Sequence, residues 1–185
     1  MSKKHRHTIL RDGLTHIIMV AGFRYQKDQD TLIRALAHLD KSRYALWLAG
    51  DGDRRGELQA LASDQGVAHR VTFLGVRDDI PQLLQTADIV VMSSHFEGLS
   101  LASVEGMAVG KPFVASDVDG LHEVVAGYGL LFPHGDDKAL AETIERLAND
   151  SSLYNAVADK CRQRAQMFDI HKMVDNYNQL YQTLQ

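Results

Sequence analysis

His16-Ile17-Ile18-Met19-Val20-Ala21 is a short apolar run that stops at Gly22. A strand with one face in water alternates polar and apolar residues. A run without alternation suits a strand buried on both faces, and such strands belong to parallel sheets. A helix is expected from about Lys27 to Leu39, because Leu32, Ile33, Leu36 and Leu39 fall at helical spacing. Asp28 and Asp30 stand near its positive N-terminal end. Strand, glycine turn and helix make half of a βαβ unit.

The same unit recurs along the chain. Tyr44 to Ala49 is apolar, Gly50-Asp51-Gly52 breaks it, and Arg54 to Gln65 carries Leu58 and Leu61 at helical spacing. Val71 to Leu74 reads as a strand ending at Gly75, followed by a helical turn around Ile80 to Gln85. Further strands are expected in Ala87–Met92, at Pro112 to Ala115 and at Gly129 to Phe132. Roughly six strands alternating with helices predict an α/β fold: a Rossmann-like doubly wound parallel sheet with helices on both faces. Lys138 to Ala148 keeps Leu140, Ile144 and Leu147 on one face, and the segments after Ser151 read as extra C-terminal helices to Gln185. In the last of these, Tyr177, Leu180, Tyr181 and Leu184 at helical spacing need an apolar surface to dock on. The expected organisation is a flexible tail over 1–14 and a single domain over 15–185.

Composition narrows the function classes. The 185 residues are 45% hydrophobic and 24% charged, close to a globular average and enough for a sizeable core. No apolar run approaches the roughly 20 residues of a membrane span, and the first residues lack the apolar stretch of a signal peptide. A net charge of −4 without a Lys/Arg run argues against nucleic acid as a partner. A lone cysteine, Cys161, in a helical pattern reads as packing in a reduced, cytoplasmic setting. Three prolines and no Gly/Ser tract leave no interdomain linker.

The chemistry concentrates in Ser93 to Pro112, SSHFEGLSLASVEGMAVGKP. This stretch follows a strand, turns through Gly98 and opens a helix, so backbone N–H groups near Gly98, Leu99, Ser100 and Leu101 form an anion site at the carboxyl edge of the sheet. Glu97 in the turn and Glu105 in the helix are separated by seven residues. Phosphate takes amides and cations, while carboxylates suit the hydroxyls of ribose or hexose. A site offering both points to a nucleotide sugar, with two solvated glutamates as the plain alternative.

From about Ile17 to Leu147 the chain resembles the donor-nucleotide half of the two-domain GT-B glycosyltransferases, specifically retaining family 4, the glycosyl transferases group 1. Five motifs carry the resemblance in order: MVAGFRYQKDQDTLIRAL, LAGDGDRRGEL, VTFLGVRDDIPQLLQTADIVVMSS, FEGLSLASVEGMAVGKPFVASDVDGLHEVV and GLLFPHGDDKALAETI. The resemblance implies that Lys27 meets the donor diphosphate and that Glu105 holds the ribose hydroxyls. It places Glu97 near the transferred sugar, with the backbone of Gly98, Leu99 and Ser100 on the diphosphate. Base recognition falls to backbone groups at Leu74, Gly75 and Val76, with UDP-sugar the default donor and GDP-sugar open. The family's arginine, five residues before the lysine, is Gly22 here, and Arg24 follows two residues later. Arg24 either reaches the same phosphate by another path or is solvated. Gly50 and Gly52 permit either close approach to ligand or a tight turn. Glu123 matches a frequent family acid or is a helix-dipole carboxylate.

Of nine histidines, His5 and His7 fall in the polar tail and the other seven, among them His95 and His134, show no ligand spacing such as His-x-x-x-His, so no metal site is expected, and the resemblance implies no obligatory metal or other cofactor beyond the donor substrate. A complete enzyme of this type has a second, acceptor-binding N-terminal domain, absent from this chain, through which the full enzyme would associate with the inner membrane face. The expected function is transfer of a hexosyl group to a glycan or lipid-linked acceptor with retention, in polysaccharide biosynthesis, by a chain nearly inactive alone. The competing readings are a non-catalytic nucleotide-binding or interaction module and an epimerase-like enzyme on the same fold.

Overall fold

The computed structural model describes residues 13–98 and 100–168. Six strands form one parallel sheet: β1 Thr15–Val20, β2 Tyr44–Ala49, β3 Val71–Gly75, β4 Ile89–Met92, β5 Phe113–Ser116 and β6 Leu130–Phe132. Their spatial order is β3-β2-β1-β4-β5-β6, the doubly wound order expected from the alternating pattern. Ile17, Ile18 and Met19 in β1, all of β2 and all of β4 are buried, so these strands are covered on both faces. That is why their sequences run apolar without alternation.

Among the described residues seven α-helices connect and flank the strands: α1 Gln29–His38, α2 Arg55–Asp64, α3 Ile80–Thr86, α4 Leu101–Ala108, α5 Asp119–Val125, α6 Asp137–Asn149 and α7 Ser151–Ala165. Crossovers between parallel strands are right-handed, so the connections running outward from β1 and from β4 cover opposite faces. After β6 the chain returns: α6 packs against α1, and α7 packs against α4 and α6. Both helices therefore close the sheet's two faces. The helix expected over 173–184, most of the expected tail and Leu99 lie outside the described residues.

The expected helix start at Lys27 divides in two. Tyr25–Lys27 is a turn of 3-10 helix, and Asp28 then adopts a left-handed conformation, φ 47°, before α1 begins at Gln29. Aspartate tolerates this conformation better than most residues, and its carboxylate accepts from the Thr31 N–H at 3.2 Å and the Thr31 hydroxyl at 2.6 Å. Lys27 thus stands on its own turn, free of the helix barrel. At the other end of α1, the buried Arg70 donates to the carbonyls of Leu36 at 2.8 Å and Leu39 at 3.3 Å. Burial pulls the Arg70 pKa down, and the helix-end carbonyls accept from its Nη1 and Nη2.

Two glycines after β2 bring backbone onto backbone. A side chain on Gly50 would place its Cβ 2.0 Å from the Ala21 carbonyl oxygen, and one on Gly52 would stand 2.5 Å from that of Phe23. Of the two readings open from sequence, the turn's own close packing against the β1 loop explains them. Arg54 locks this junction from the side, donating to both Asp30 oxygens at 2.7 and 2.9 Å. Cys161 is fully buried in α7, and burial pushes its thiol up to about 11, as expected of a packing residue.

Burial would raise the Asp30 pKa, but the Arg54 hydrogen bonds and charge overcome it and hold the carboxyl below the usual range. The pair therefore stabilises the fold fully above the unfolded carboxylate value and loses its contribution as pH falls through the lower folded value. Arg54→Ala is expected to cost about 1 kcal/mol at pH 7 after solvent screening, roughly 2–4 °C in Tm at this chain size. Thermal unfolding should show the gap narrowing toward pH 3; a pH-independent gap would rule out the ion pair as its source.

Candidate functional site

The strand order reverses between β1 and β4, and the two loops leaving their carboxyl ends part to opposite faces. A crevice opens there in any doubly wound sheet. Here the two loops, 21–28 and 93–100, are joined across it. The His95 N–H donates to the Gln26 carbonyl at 2.8 Å, the Gln26 amide donates to the Phe96 carbonyl at 3.0 Å, and the Ser93 hydroxyl donates to the Asp28 carbonyl at 2.7 Å.

This stitching sets the side chains of Lys27 and Glu97 together, 70 residues apart in sequence. The Lys27 ammonium lies 2.5 Å from Glu97 Oε1, and the Ser94 hydroxyl donates to the same oxygen at 2.7 Å. The Glu97 side chain is 6% exposed and the Lys27 side chain 21%. The carboxylate is thus anchored inside, while the lysine stem reaches outward and keeps donors for a second acceptor.

The α4 helix begins at Leu101. Ser100 caps it, with its hydroxyl accepting from the Ser103 N–H at 3.4 Å, and the N–H groups of Leu101 and Ala102 make no hydrogen bond among the described residues. Glu105 is exposed on the same helix and has no hydrogen-bond or ion-pair partner among the described residues. Glu97 and Glu105 are therefore in unlike settings, one held and the other without a partner among the described residues. Gly120, at the second position of α5, explains how the loop is placed: a Cβ there would lie 2.1 Å from the Glu97 carbonyl oxygen and 2.5 Å from that of Gly98.

Arg24 is exposed and makes no ion pair among the described residues, and its Nε folds back to 3.9 Å from where a Gly22 Cβ would stand. The arginine head thus lies over the position at which the family pattern has an arginine. Leu74, Gly75 and Val76 sit at the carboxyl end of edge strand β3, two strands from the crevice, where the Gly75 carbonyl accepts from the Gly50 N–H at 2.8 Å. Val76 is fully open, 83% exposed. Glu123 lies in the latter half of α5 rather than in its first turn, which removes the helix-dipole account of that residue. His95 stacks near the Tyr25 ring at 4.4 Å and approaches His134 and Asp28.

Ser94 and Gly120 carry no sequence signal of their own. Ser94 matters because β4 ends where Glu97 turns back, and Gly120 because α5 abuts that turn. A small residue three positions before a loop glutamate is the only hint available in the sequence.

Residues 2–165 match the family described as glycosyl transferases group 1. The lipopolysaccharide core biosynthesis glycosyltransferase LpsE of Rhizobium meliloti (strain 1021) is 35% identical over 168 residues, 89% of this chain and 49% of that protein. The putative glycosyltransferase EpsD of Bacillus subtilis (strain 168) is 33% identical over 96% of this chain and 48% of its own length. Among solved structures, Anabaena Alr3699/HepE in complex with UDP-glucose superposes with a TM-score of 0.83 at 31% identity, over 92% of this chain and 48% of that one. The C-terminal domain of a glycosyl transferase group 1 family protein (LpcC) from Francisella tularensis shares the fold, TM-score 0.72 at 21% identity, over 84% of this chain and 86% of that one. The chain spans about half the length of the curated relatives it matches.

A methyl group on Gly120 has backbone, not a movable side chain, in its way. Gly120→Ala is expected to lower stability by about 1–3 kcal/mol despite the helix-propensity gain of about 1 kcal/mol. Gly56→Ala, in α2 with open space around it, should instead raise Tm. Equal shifts for both variants in thermal unfolding would mean that α5 does not bear on the Glu97 turn.

Proposed function

The chain belongs to the glycosyl transferases group 1 family, and from that premise we propose that it is the donor-binding half of a retaining hexosyltransferase that uses a nucleoside diphosphate sugar. The observation that carries this reading is the Lys27–Glu97 contact beside the open amides of α4 at the sheet's switch point. UDP is the favoured nucleotide, supported by the UDP and UDP-glucose complexes of the Anabaena protein with the same fold.

In this reading the diphosphate lies on the backbone of Gly98, Leu99 and Ser100 and on the α4 N-terminus, where the helix dipole favours negative charge. Lys27 gives one donor to Glu97 and turns the others to phosphate. Arg24, lying over Gly22, supplies the second cation from its own position on the loop. Glu105, exposed and unpartnered, takes the ribose hydroxyls, and the β3 edge at Leu74, Gly75 and Val76 faces the base. When the bond from the anomeric carbon to the phosphate oxygen breaks, its electron pair leaves with the nucleoside diphosphate. Lys27, Arg24 and the helix amides stabilise that charge, and Glu97 stabilises the positive character at the sugar. No covalent step is assigned to Glu97, whose carboxylate is already engaged by Lys27 and Ser94.

The acceptor half is the partner this reading requires. Its support is the chain's coverage of about half of each relative and the exposed apolar side chains Tyr25, Val76, Phe96 and Leu101, all at the strands' carboxyl edge. A glycan or lipid-linked acceptor would be held mainly by that half, which would also carry any association with the cytoplasmic membrane face. Within the described residues no helix is long and apolar enough to cross a membrane.

A thermal-shift panel of UDP, GDP, ADP and dTDP tests the assignment. A nucleotide at ~100 times its Kd adds about 2.7 kcal/mol, roughly 5–10 °C at this size, and UDP is expected to give the largest shift. Lys27→Ala should weaken UDP about 10- to 100-fold, the loss of a charge-assisted phosphate contact. Glu105→Ala should weaken UDP as well, and Glu97→Ala should affect UDP-glucose more than UDP. No shift with any nucleotide at millimolar concentration would replace this reading with that of an interaction module.

A further inference from the structure

His95 and His134 show no ligand spacing in sequence, yet three loops bring them together beside a buried carboxylate. We propose that Asp28, His95 and His134 form a binding site for a divalent transition-metal ion of the zinc class. The site draws one ligand from each of the loops that follow β1, β4 and β6 at the carboxyl edge.

The three side chains each offer a ligand atom, and these atoms all lie within 4.8 Å of one another. His95 Nδ1 is 2.6 Å from His134 Nε2 and 3.8 Å from Asp28 Oδ2. These separations bracket the roughly 3.3 Å between ligand atoms of a tetrahedral zinc centre with bonds of about 2.0–2.1 Å. Two ring nitrogens at 2.6 Å share a single proton between them, and a metal ion takes that proton's place when the rings part by less than about 1 Å.

The ligands are already oriented by neighbours. Asp28 Oδ2 accepts from the Thr31 hydroxyl at 2.6 Å, which aims the carboxylate and leaves it a lone pair. The His95 backbone is held by its N–H bond to Gln26, and its ring lies against Tyr25. Asp28 is buried, His95 half-buried and His134 exposed, so the group is rooted in the protein and open to solvent on one side. Two imidazoles and one carboxylate, with a coordination position left to solvent, select zinc-class ions over magnesium, which prefers all-oxygen octahedra. Bound metal would clamp the β1, β4 and β6 loops together. Because Asp28 adjoins Lys27 and His95 precedes Glu97 by two positions, the clamp would steady the crevice from its rim.

The test is calorimetric titration of the full chain with Zn2+ alone and with Mg2+ alone. His5 and His7, a His-x-His pair near the N-terminus, are a second source of zinc affinity, so the parent for the comparison is His5→Ala/His7→Ala. That parent should bind one Zn2+ and no Mg2+, with a zinc-dependent rise in Tm. In the same background His134→Ala, an exposed substitution that leaves the core untouched, should weaken Zn2+ at least about tenfold and abolish the Tm rise, and His95→Ala should do the same. Zinc binding in the parent that His134→Ala leaves unchanged would overturn the proposal, as would loss of all zinc binding on removal of His5 and His7.

Discussion

β1 and β4 pair over only two residue positions, Ile17 with Ile89 and Ile18 with Val90, and the whole arrangement of the crevice depends on that short seam. It is reinforced outside the ladder. Asp88 accepts from the His16 N–H through its carboxylate at 2.8 Å and donates its own N–H to the His16 carbonyl at 2.9 Å. The Tyr154 hydroxyl, reaching in from α7, donates to the Asp88 carbonyl at 2.8 Å. The C-terminal helices thus contribute to the seam directly, beyond covering the sheet. Since both strands are buried, a shift of register by one residue would turn apolar side chains from one covered face to the other and misplace both outgoing loops.

Above the seam, backbone replaces side chain as the packing material. Gly50 and Gly52 let the β2 loop lie on Ala21 and Phe23, and Gly120 lets α5 lie on the Glu97 turn. Close backbone packing limits how far a loop can move, so Lys27 and Glu97 are held by surroundings with little slack. Preorganisation of this sort orders a charged pair through the fold alone.

The electrostatics follow from position. A buried carboxylate is costly unless it is hydrogen-bonded and paired, and Glu97 has both Ser94 and Lys27. Glu105 needs neither, because it stands in solvent. The two glutamates of one motif therefore differ in kind: the first is part of the protein's own network, and the second makes no hydrogen bond among the described residues. Exposed apolar groups at the same edge, Tyr25, Phe96 and Leu101, sit beside these polar groups.

Periodicity and breaker residues in the sequence by themselves determined the parallel doubly wound sheet, the order of its elements and most of their bounds to within one to three residues, because fully buried strands and amphipathic helices write their burial into local pattern. The strand, glycine turn and helix start around Glu97 and Glu105 were legible too, and Lys27 was singled out by the family resemblance. The left-handed Asp28 that separates Lys27 from α1 was not, because it depends on Thr31 and on the loop it supports. Nor were the Lys27–Glu97 contact, the fold-back of Arg24 onto Gly22, the role of Gly120 or the meeting of Asp28, His95 and His134. Each joins residues from separate segments, and such distances are decided only when the strand order brings the carboxyl ends of β1, β4, β5 and β6 together. Local pattern records which face of an element is buried; it holds no record of which other element buries it.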